Sequence, residues 1–285
     1  MNFGKFLIMK PEDITYVTTC KGRLHHLKKS LPRVVNQGLG GIIVVDFDCP
    51  DGSGQWVHEH FPQVQVIKIN AQPKFDYSRS RNIGGHAAKT KWIAFFDADV
   101  LVSENFFRNI APNLNDGSYY VPKNEDGNTW GSFLVEKKLF EKVDGYDEAI
   151  KHWGGVDTAL YNVLSFVGAR NETYDGKLIE AVQHSDEERL VFTSLKDVNF
   201  AKQLATIYEI CKLDIMRIEQ TLLDLEFRIT LRQTTHNALV QMIESKSGIA
   251  RFTIELPPKT LIRPSLGKQN TPTVKRALSF EIQMG

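Results

Sequence analysis

The sequence predicts an α/β protein with a mostly parallel central sheet, helices on both faces, and a helical C-terminal extension. Three observations predict it. Through about residue 100, β-branched apolar runs alternate with helix-like stretches of about 10–15 residues, the pattern of βαβ units. Those runs are apolar almost throughout and turn polar only at their C-terminal ends, as buried parallel strands do. After about residue 195 the alternation stops and a 4-3 apolar spacing replaces it.

The elements follow in order. ITYVTT at 14–19 is a β-branched strand that ends at Cys-Lys-Gly, and a helical stretch runs from about Leu24 to Asn36. GIIVVDFD at 41–48 and VQVIKI at 64–69 are the second and third strands. SRSRNIGGHAAKT at 78–90 reads as a helix start and helix, and WIAFFDAD at 92–99 as a fourth strand. From 129 to 188 the pattern loosens: TWGSFLVEKKLFEKVDGYDE, a Gly-rich turn HWGGVD, a helix-like TALYNVLSFVG, then the strand KLIEAVQH. In open sheets of this kind ligands bind beyond the carboxyl ends of the strands. Here those ends bring Thr18–Arg23, Asp46–Asp51 and Asp97–Asp99 to one edge.

Composition narrows the function classes. Thirty-five Lys+Arg against 34 Asp+Glu leave a net charge of +1, without the basic excess of a typical nucleic-acid binder. At 42% hydrophobic and 24% charged residues the chain matches a globular protein, not a disordered one. No apolar run approaches the ~18 residues of a membrane span, and the opening MNFGKFLIMKPED is too short and too soon charged for a signal peptide. Cys20, Cys49 and Cys211 are odd in number and far apart in sequence, which fits reduced thiols in a cytoplasmic protein.

FFDAD at 95–99 is the best single chemical signal. An apolar strand that ends on two carboxylates one residue apart can aim both at a hard divalent cation or a ribose, although Asp-x-Asp alone also occurs in solvated turns. Three further segments add to it. Arg81 and Asn82 sit at a helix start just before that strand; Asp157 heads a helix after a Gly-Gly turn that permits close backbone approach; His184 ends a strand with a polar loop behind it.

Taken in order, VTTCKGR, IIVVDFDCPDGS, SRSRNIGGHAAKTKWIAFFDAD, GSFLVEKKLFEKVDGYDE, HWGGVD and VQHSDEER resemble nucleotide-sugar glycosyltransferases of the glycosyltransferase-A fold. The chain is most similar to family-2-type enzymes with a C-terminal half like that of β-1,4-galactosyltransferases and chondroitin-type polymerases. The resemblance covers roughly residues 12–190 and implies a Rossmann-like catalytic domain over 1–190. Within it, about 1–100 would form the nucleotide-binding half and 101–190 the acceptor-binding half.

The resemblance implies roles residue by residue. Thr18, Thr19 and Arg23 would lie along the uridine and diphosphate, and Asp46 and Asp48 would meet the base or ribose. Arg81 and Asn82 match a donor-contacting pair, Asp97 would hold the ribose, the donor sugar or the metal, and Trp153 would stack on a sugar ring. Asp99 and His184 would ligate Mn²⁺ or Mg²⁺, and Asp157 matches the general base. The usual W-G-G-E-D pattern has Val156 at its Glu position, which puts acceptor choice in doubt.

The implied activity is inverting, metal-dependent transfer of a hexose or N-acetylhexosamine from a UDP-sugar to a hydroxyl of a glycan, lipid-linked or other acceptor. One base and one metal site favour single displacement over a covalent double displacement. A non-catalytic UDP-sugar or glycan-binding protein is the alternative. A sugar-nucleotide pyrophosphorylase is discounted because VTTCKGRLHHL lacks a Gly-rich opening loop.

Residues 191–285 fall outside the resemblance. Leu204, Tyr208, Cys211, Ile215, Ile218, Leu222, Leu225 and Ile229 form a heptad stripe that packs on its own domain or pairs two copies. Residues 246–285, with seven Lys+Arg against Glu255 and Glu281, suggest a basic, partly irregular tail. Such a tail permits peripheral contact with anionic lipid at the inner membrane face, or with an anionic acceptor, although a solvated surface also fits.

Overall fold

The computed structural model describes residues 8–123, 129–151, 154–183, 191–192, 197–260 and 273–283. The chain folds into two compact units, Met1–Val198 and Asn199–Gly285.

The first unit is built on a seven-stranded sheet. β1 (Ile14–Cys20) lies between β2 (Gly41–Phe47) and β4 (Trp92–Phe95), and β3 (Gln65–Ile69) pairs with the outer side of β2, all four parallel. β7 (Phe133–Glu136) pairs antiparallel with β4, β6 (Ser118–Lys123) antiparallel with β7, and β8 (Arg170–Asp175) parallel with β6. The spatial order is therefore β3-β2-β1-β4-β7-β6-β8. β5 (Val100–Val102) and β9 (Ile179–Ala181) make a separate antiparallel pair beside it. The four parallel strands match the runs expected from sequence, and every residue of β1 is buried, as a central strand covered on both faces should be.

Helices cover the sheet: α1 (Leu24–Ser30), α2 (Ser53–His60), α3 (Tyr77–Ala87), α4 (Phe106–Ile110), α5 (Lys137–Lys142) and α6 (Val156–Phe166). α1 stops earlier than the expected Leu24–Asn36 helix. Pro32 lacks an N–H for an intrahelical bond, and the chain tightens into a 3₁₀ turn at Leu31–Arg33. On one face Tyr16 stacks among Phe96 and Phe107, and Phe106 packs edge-on to Phe96 and Phe107. His26 on α1 is buried, its ring against that of His25.

α3 lies unusually close to the other face of the sheet. A Cβ on Gly85 would meet Phe140 at 2.7 Å and Phe95 at 2.8 Å, and one on Gly84 would run into Val17 and Val45. The paired glycines thus set a tight helix–sheet contact. That contact fixes the N-terminal half of α3, which carries the site residues.

The second unit holds α7 (Val198–Glu219), α8 (Leu225–Ser245) and an antiparallel ribbon of β10 (Ile249–Thr260) and β11 (Thr273–Gln283). The heptad stripe does not form one helix. Gln220 takes a left-handed conformation (φ 54°) and Asp224 caps α8, accepting from the Phe227 N–H at 2.8 Å. Leu204 from α7 then packs with Ala238, Leu239 and Met242 of α8 and with Ala250 and Ile282 of the ribbon. The tail read from its prolines and basic residues as partly irregular contains these two strands. Among the described residues no helix is long and apolar enough to cross a membrane.

Candidate active site at the carboxyl edge of the sheet

The parallel strands β1, β2 and β4 end on the same edge, and three loops meet there. Lys21, just past β1, is buried and donates to the carbonyls of Phe47 (3.2 Å), Asp48 (2.8 Å) and Gln72 (2.5 Å), tying the first three strand ends together. Asp46 accepts from the N–H groups of Cys49 and Gly54, both at 2.8 Å, so it shapes the loop after β2. Asp48, in a left-handed conformation (φ 53°), accepts from the Gln72 N–H at 2.9 Å. Beyond the same edge, Arg23 forms a 2.8 Å ion pair with Asp99, linking the loop after β1 to the carboxylates after β4.

Arg81 is the centre of the second half of the site. It is fully buried, so its guanidinium needs several acceptors to offset lost hydration. It donates to Asp97 Oδ1 at 2.6 Å, the Gly131 carbonyl at 2.8 Å and Tyr146 Oη at 2.9 Å. The rings of Tyr77, Phe95 and Tyr146 surround it, its carbon lying 4.6 Å from the Tyr77 centroid. Asn82, also buried, donates to the Tyr146 carbonyl and to Glu148 and accepts from the Tyr146 N–H, which fastens the 145–148 turn onto α3.

Asp157 reaches the same place from the opposite side. Gly154 (φ 103°) and Gly155 (φ 77°) take conformations that side-chain-bearing residues rarely adopt, and they turn the chain into α6 with Asp157 in its first turn. Tyr77 Oη lies 3.3 Å from both Asp97 Oδ1 and Asp157 Oδ1, and Tyr146 Oη lies 3.5 Å from the latter. Burial pushes the Asp157 carboxyl up to about 6; the Arg81 cation opposes this and the Asp97 charge adds to it. Tyr77 and Tyr146 are raised well above the usual phenol range, also chiefly by burial, and so stay neutral donors.

Gly131 lies where these groups meet, and its lack of a side chain admits them. A Cβ there would lie 3.0 Å from Tyr77 Oη and 3.2 Å from both Asp97 Oδ2 and Asp157 Oδ2. Two carboxylates and a phenol therefore converge around the Gly131 backbone, which they approach more closely than a side chain there would allow. Trp130, next to Gly131 in the chain, is 45% exposed with its carbonyl held by Tyr161 Oη at 2.7 Å, an accessible aromatic residue beside these groups.

The structure thus brings Arg23 to Asp99, and Arg81 and Asp97 to Asp157. It places Thr18 fully buried within β1 and Thr19 nearly so, and it gives Arg81 and Asn82 intramolecular partners at every donor described above. Trp153 and His184 lie outside the described residues. Val156, at the usual Glu position, is buried. Sequence reasoning missed Tyr77, Trp130, Gly131 and Tyr146. Tyr77 carried one signal, since it lies four residues before Arg81 and shares its helix face; the other three come from loops that only the fold brings near.

Among the described residues no group of three His, Cys, Asp or Glu side chains makes a metal site by itself. Asp97 and Asp99 nevertheless fit a divalent cation as hard oxygen donors one residue apart after a buried strand, short of a full set that substrate oxygens would complete. In addition, the Val182 N–H donates to the Asp99 carbonyl at 2.7 Å, which holds the segment after β9 beside the second carboxylate.

Comparison with known proteins gives one family match and several fold matches. Residues 15–153 match the family model described as Glycosyl transferase family 2. Solved structures share the fold at low identity. S. aureus TarS 1–349 in complex with UDP-GlcNAc has a TM-score of 0.56 at 13% identity, over 80% of this chain and 72% of that one. The mannosyltransferase PcManGT from Pyrobaculum calidifontis, in complex with GDP-Man and Mn²⁺, has a TM-score of 0.53 at 12% identity, over 85% and 83%. GalNAc-T7 with UDP, GalNAc and Mn²⁺ has a TM-score of 0.57 at 12% identity, over 85% of this chain and 58% of that one. No curated protein sequence matches.

Proposed function

We propose that this chain, whose residues 15–153 match the Glycosyl transferase family 2 model, carries out inverting transfer of a hexose or N-acetylhexosamine from a UDP-sugar to an acceptor hydroxyl, with Asp157 as general base. The observation that carries the reading is the convergence of Asp157, Asp97 and Tyr77 around Gly131. A carboxyl raised to about 6 is ionised at neutral pH yet basic enough to take a proton in the transition state.

The acceptor hydroxyl gives its proton to Asp157 as its oxygen attacks the anomeric carbon, and the nucleoside diphosphate leaves from the opposite face. Arg81 holds Asp97, and through Tyr77 it fixes the distance between Asp97 and Asp157. Water exclusion by Tyr77, Tyr146 and Phe95 strengthens these interactions. Asp97, Asp99 and His184 would hold Mn²⁺ or Mg²⁺, which when bound neutralises charge on the leaving diphosphate. The nucleotide and Mn²⁺ complexes named for the neighbouring structures support the donor class and the metal. Arg23, Asp48 and Thr19 line the donor half, Arg23 exchanging Asp99 for diphosphate oxygens. Trp130 and Trp153 are the aromatic faces for the sugars. A homodimer through 204–229 would use Ile218 and Ile229, which are 54% and 49% exposed, and not the buried Leu204, Tyr208, Cys211 and Ile215.

The test is UDP release from a panel of UDP-sugars, with Mn²⁺ or with EDTA. One sugar is expected to be hydrolysed slowly in the presence of metal. Release should fall at least 100-fold in Asp157→Asn and in Asp99→Ala, as for loss of a general base or a metal ligand. Unchanged release in Asp157→Asn would refute the base assignment.

A further inference from the structure

The two cysteines at the first two strand ends form a pair that sugar transfer does not use. Cys20 ends β1 and is buried, and Cys49 follows β2 and is partly exposed. Far apart in sequence, they meet because parallel pairing sets Cys20 opposite Asp46. Asp46 then draws the chain back by accepting from the Cys49 N–H at 2.8 Å, and the Cys-Pro-Asp-Gly turn closes with the Gly52 N–H on the Cys49 carbonyl at 3.2 Å. The two Sγ atoms lie 4.0 Å apart, and the Gly22 N–H donates to Cys49 Sγ at 3.2 Å.

We propose that Cys49 and Cys20 are a peroxide-reactive dithiol, with Cys49 the attacking sulfur and Cys20 the resolving one, whose disulfide pulls the turn after β2 onto the Lys21–Arg23 loop. The two thiols are electrostatically unequal in the right sense. Cys49 is held below the ordinary thiol range, first by the neighbouring Cys20 thiol and also by the N–H groups of Asp51 and Gly22, while Cys20 is raised. The more exposed sulfur is thus the thiolate.

The chemistry balances with one hydroperoxide. The Cys49 thiolate attacks the terminal peroxide oxygen; the O–O bond breaks, leaving Cys49 as a sulfenic acid and releasing hydroxide. That hydroxide takes the Cys20 proton and becomes water. The Cys20 thiolate then attacks the Cys49 sulfur, the S–S bond forms, and the S–O bond breaks with loss of hydroxide. Two thiol sulfurs are oxidised and one peroxide is reduced. Closing 4.0 Å to the ~2.05 Å of a disulfide requires the turn to move, and it takes the thiolate acceptor away from the Gly22 N–H. Arg23, next in the chain, is the partner of Asp99, so oxidation would reach the donor half of the site.

The full chain treated with hydrogen peroxide should lose two hydrogens by intact mass and yield a linked Cys20–Cys49 peptide, both reversed by dithiothreitol. Amide exchange in a peptide spanning Gly22 should rise several-fold in the oxidised form. In Cys20→Ser, Cys49 should accumulate as a dimedone-trapped sulfenic acid, and its melting curve should report a folded protein. In the reduced wild type, iodoacetamide at pH 6.5 should modify Cys49 on the order of tenfold faster than Cys211, whose thiol is buried and pushed up to about 12. Absence of a linked peptide, or alkylation of Cys49 no faster than Cys211, would overturn the proposal, as would unchanged exchange at Gly22. None of these readouts involves nucleotide or sugar, so they stand or fall apart from the transferase reading.

Discussion

Asp157 shows how one residue's surroundings set both chemistry and stability. Its carboxyl, raised from 3.8 to about 6, binds its proton more tightly in the folded protein than in the unfolded chain. Its contribution to stability is therefore complete below about pH 4 and is lost as pH rises through about 6. Asp157→Asn should be more stable than wild type by about 1–3 kcal/mol at pH 8, and the gain should vanish near pH 4, as urea melts at the two pH values would show. The same ionisation should give kcat/KM an acidic limb near pH 6. Arg81 opposes that shift, so Arg81→Met should move the limb to higher pH and cost about 3 kcal/mol by leaving Asp97 without its partner. A pH–rate profile that stays in place would exclude Arg81 from positioning the base.

At the scale of elements, α3 is the part that aligns the site. Asp76 caps it, accepting from the Arg79 N–H at 3.1 Å, and Gly84 and Gly85 let it sit against β1 and β4. Arg81 and Tyr77 are thereby delivered to the sheet edge. Gly85→Ala adds a methyl group against Phe95 and Phe140 and should destabilise by about 1–3 kcal/mol. It should also reduce turnover although it touches no substrate, because α3 must shift outward. Thermal melts and kcat measured together distinguish this from a purely local cost.

At the scale of the molecule, each unit has its own apolar core, one under the seven-stranded sheet and one around Leu239. Leu239→Ala removes a fully buried side chain from the second core and should cost about 2–5 kcal/mol there. The UDP binding proposed for the first unit should be unchanged in this variant. Weaker binding in titrations of the folded variant would show that the C-terminal unit supports the site.

What the sequence determined by itself was the strand–helix alternation, the parallel half of the sheet and the carboxylates at its edge. These are local: apolar periodicity, a polar strand end and glycines before a helix are visible within about ten residues. It also held the resemblance that singled out Asp97, Asp99 and Asp157. Only the tertiary structure decided that Arg81 and Asn82 spend their hydrogen bonds inside the protein, that Gly84 and Gly85 serve helix–sheet contact, and that Tyr77 and Tyr146 bridge the carboxylates. Likewise the heptad stripe gave no sign of its break at Gln220, and the basic tail gave none of its two strands. Such facts depend on which side chains burial forces together across 50 or more residues, as between Arg81 and Gly131 or Tyr146 and Asn82. A buried charge takes whatever partners the fold supplies, and no spacing along the chain records which those are.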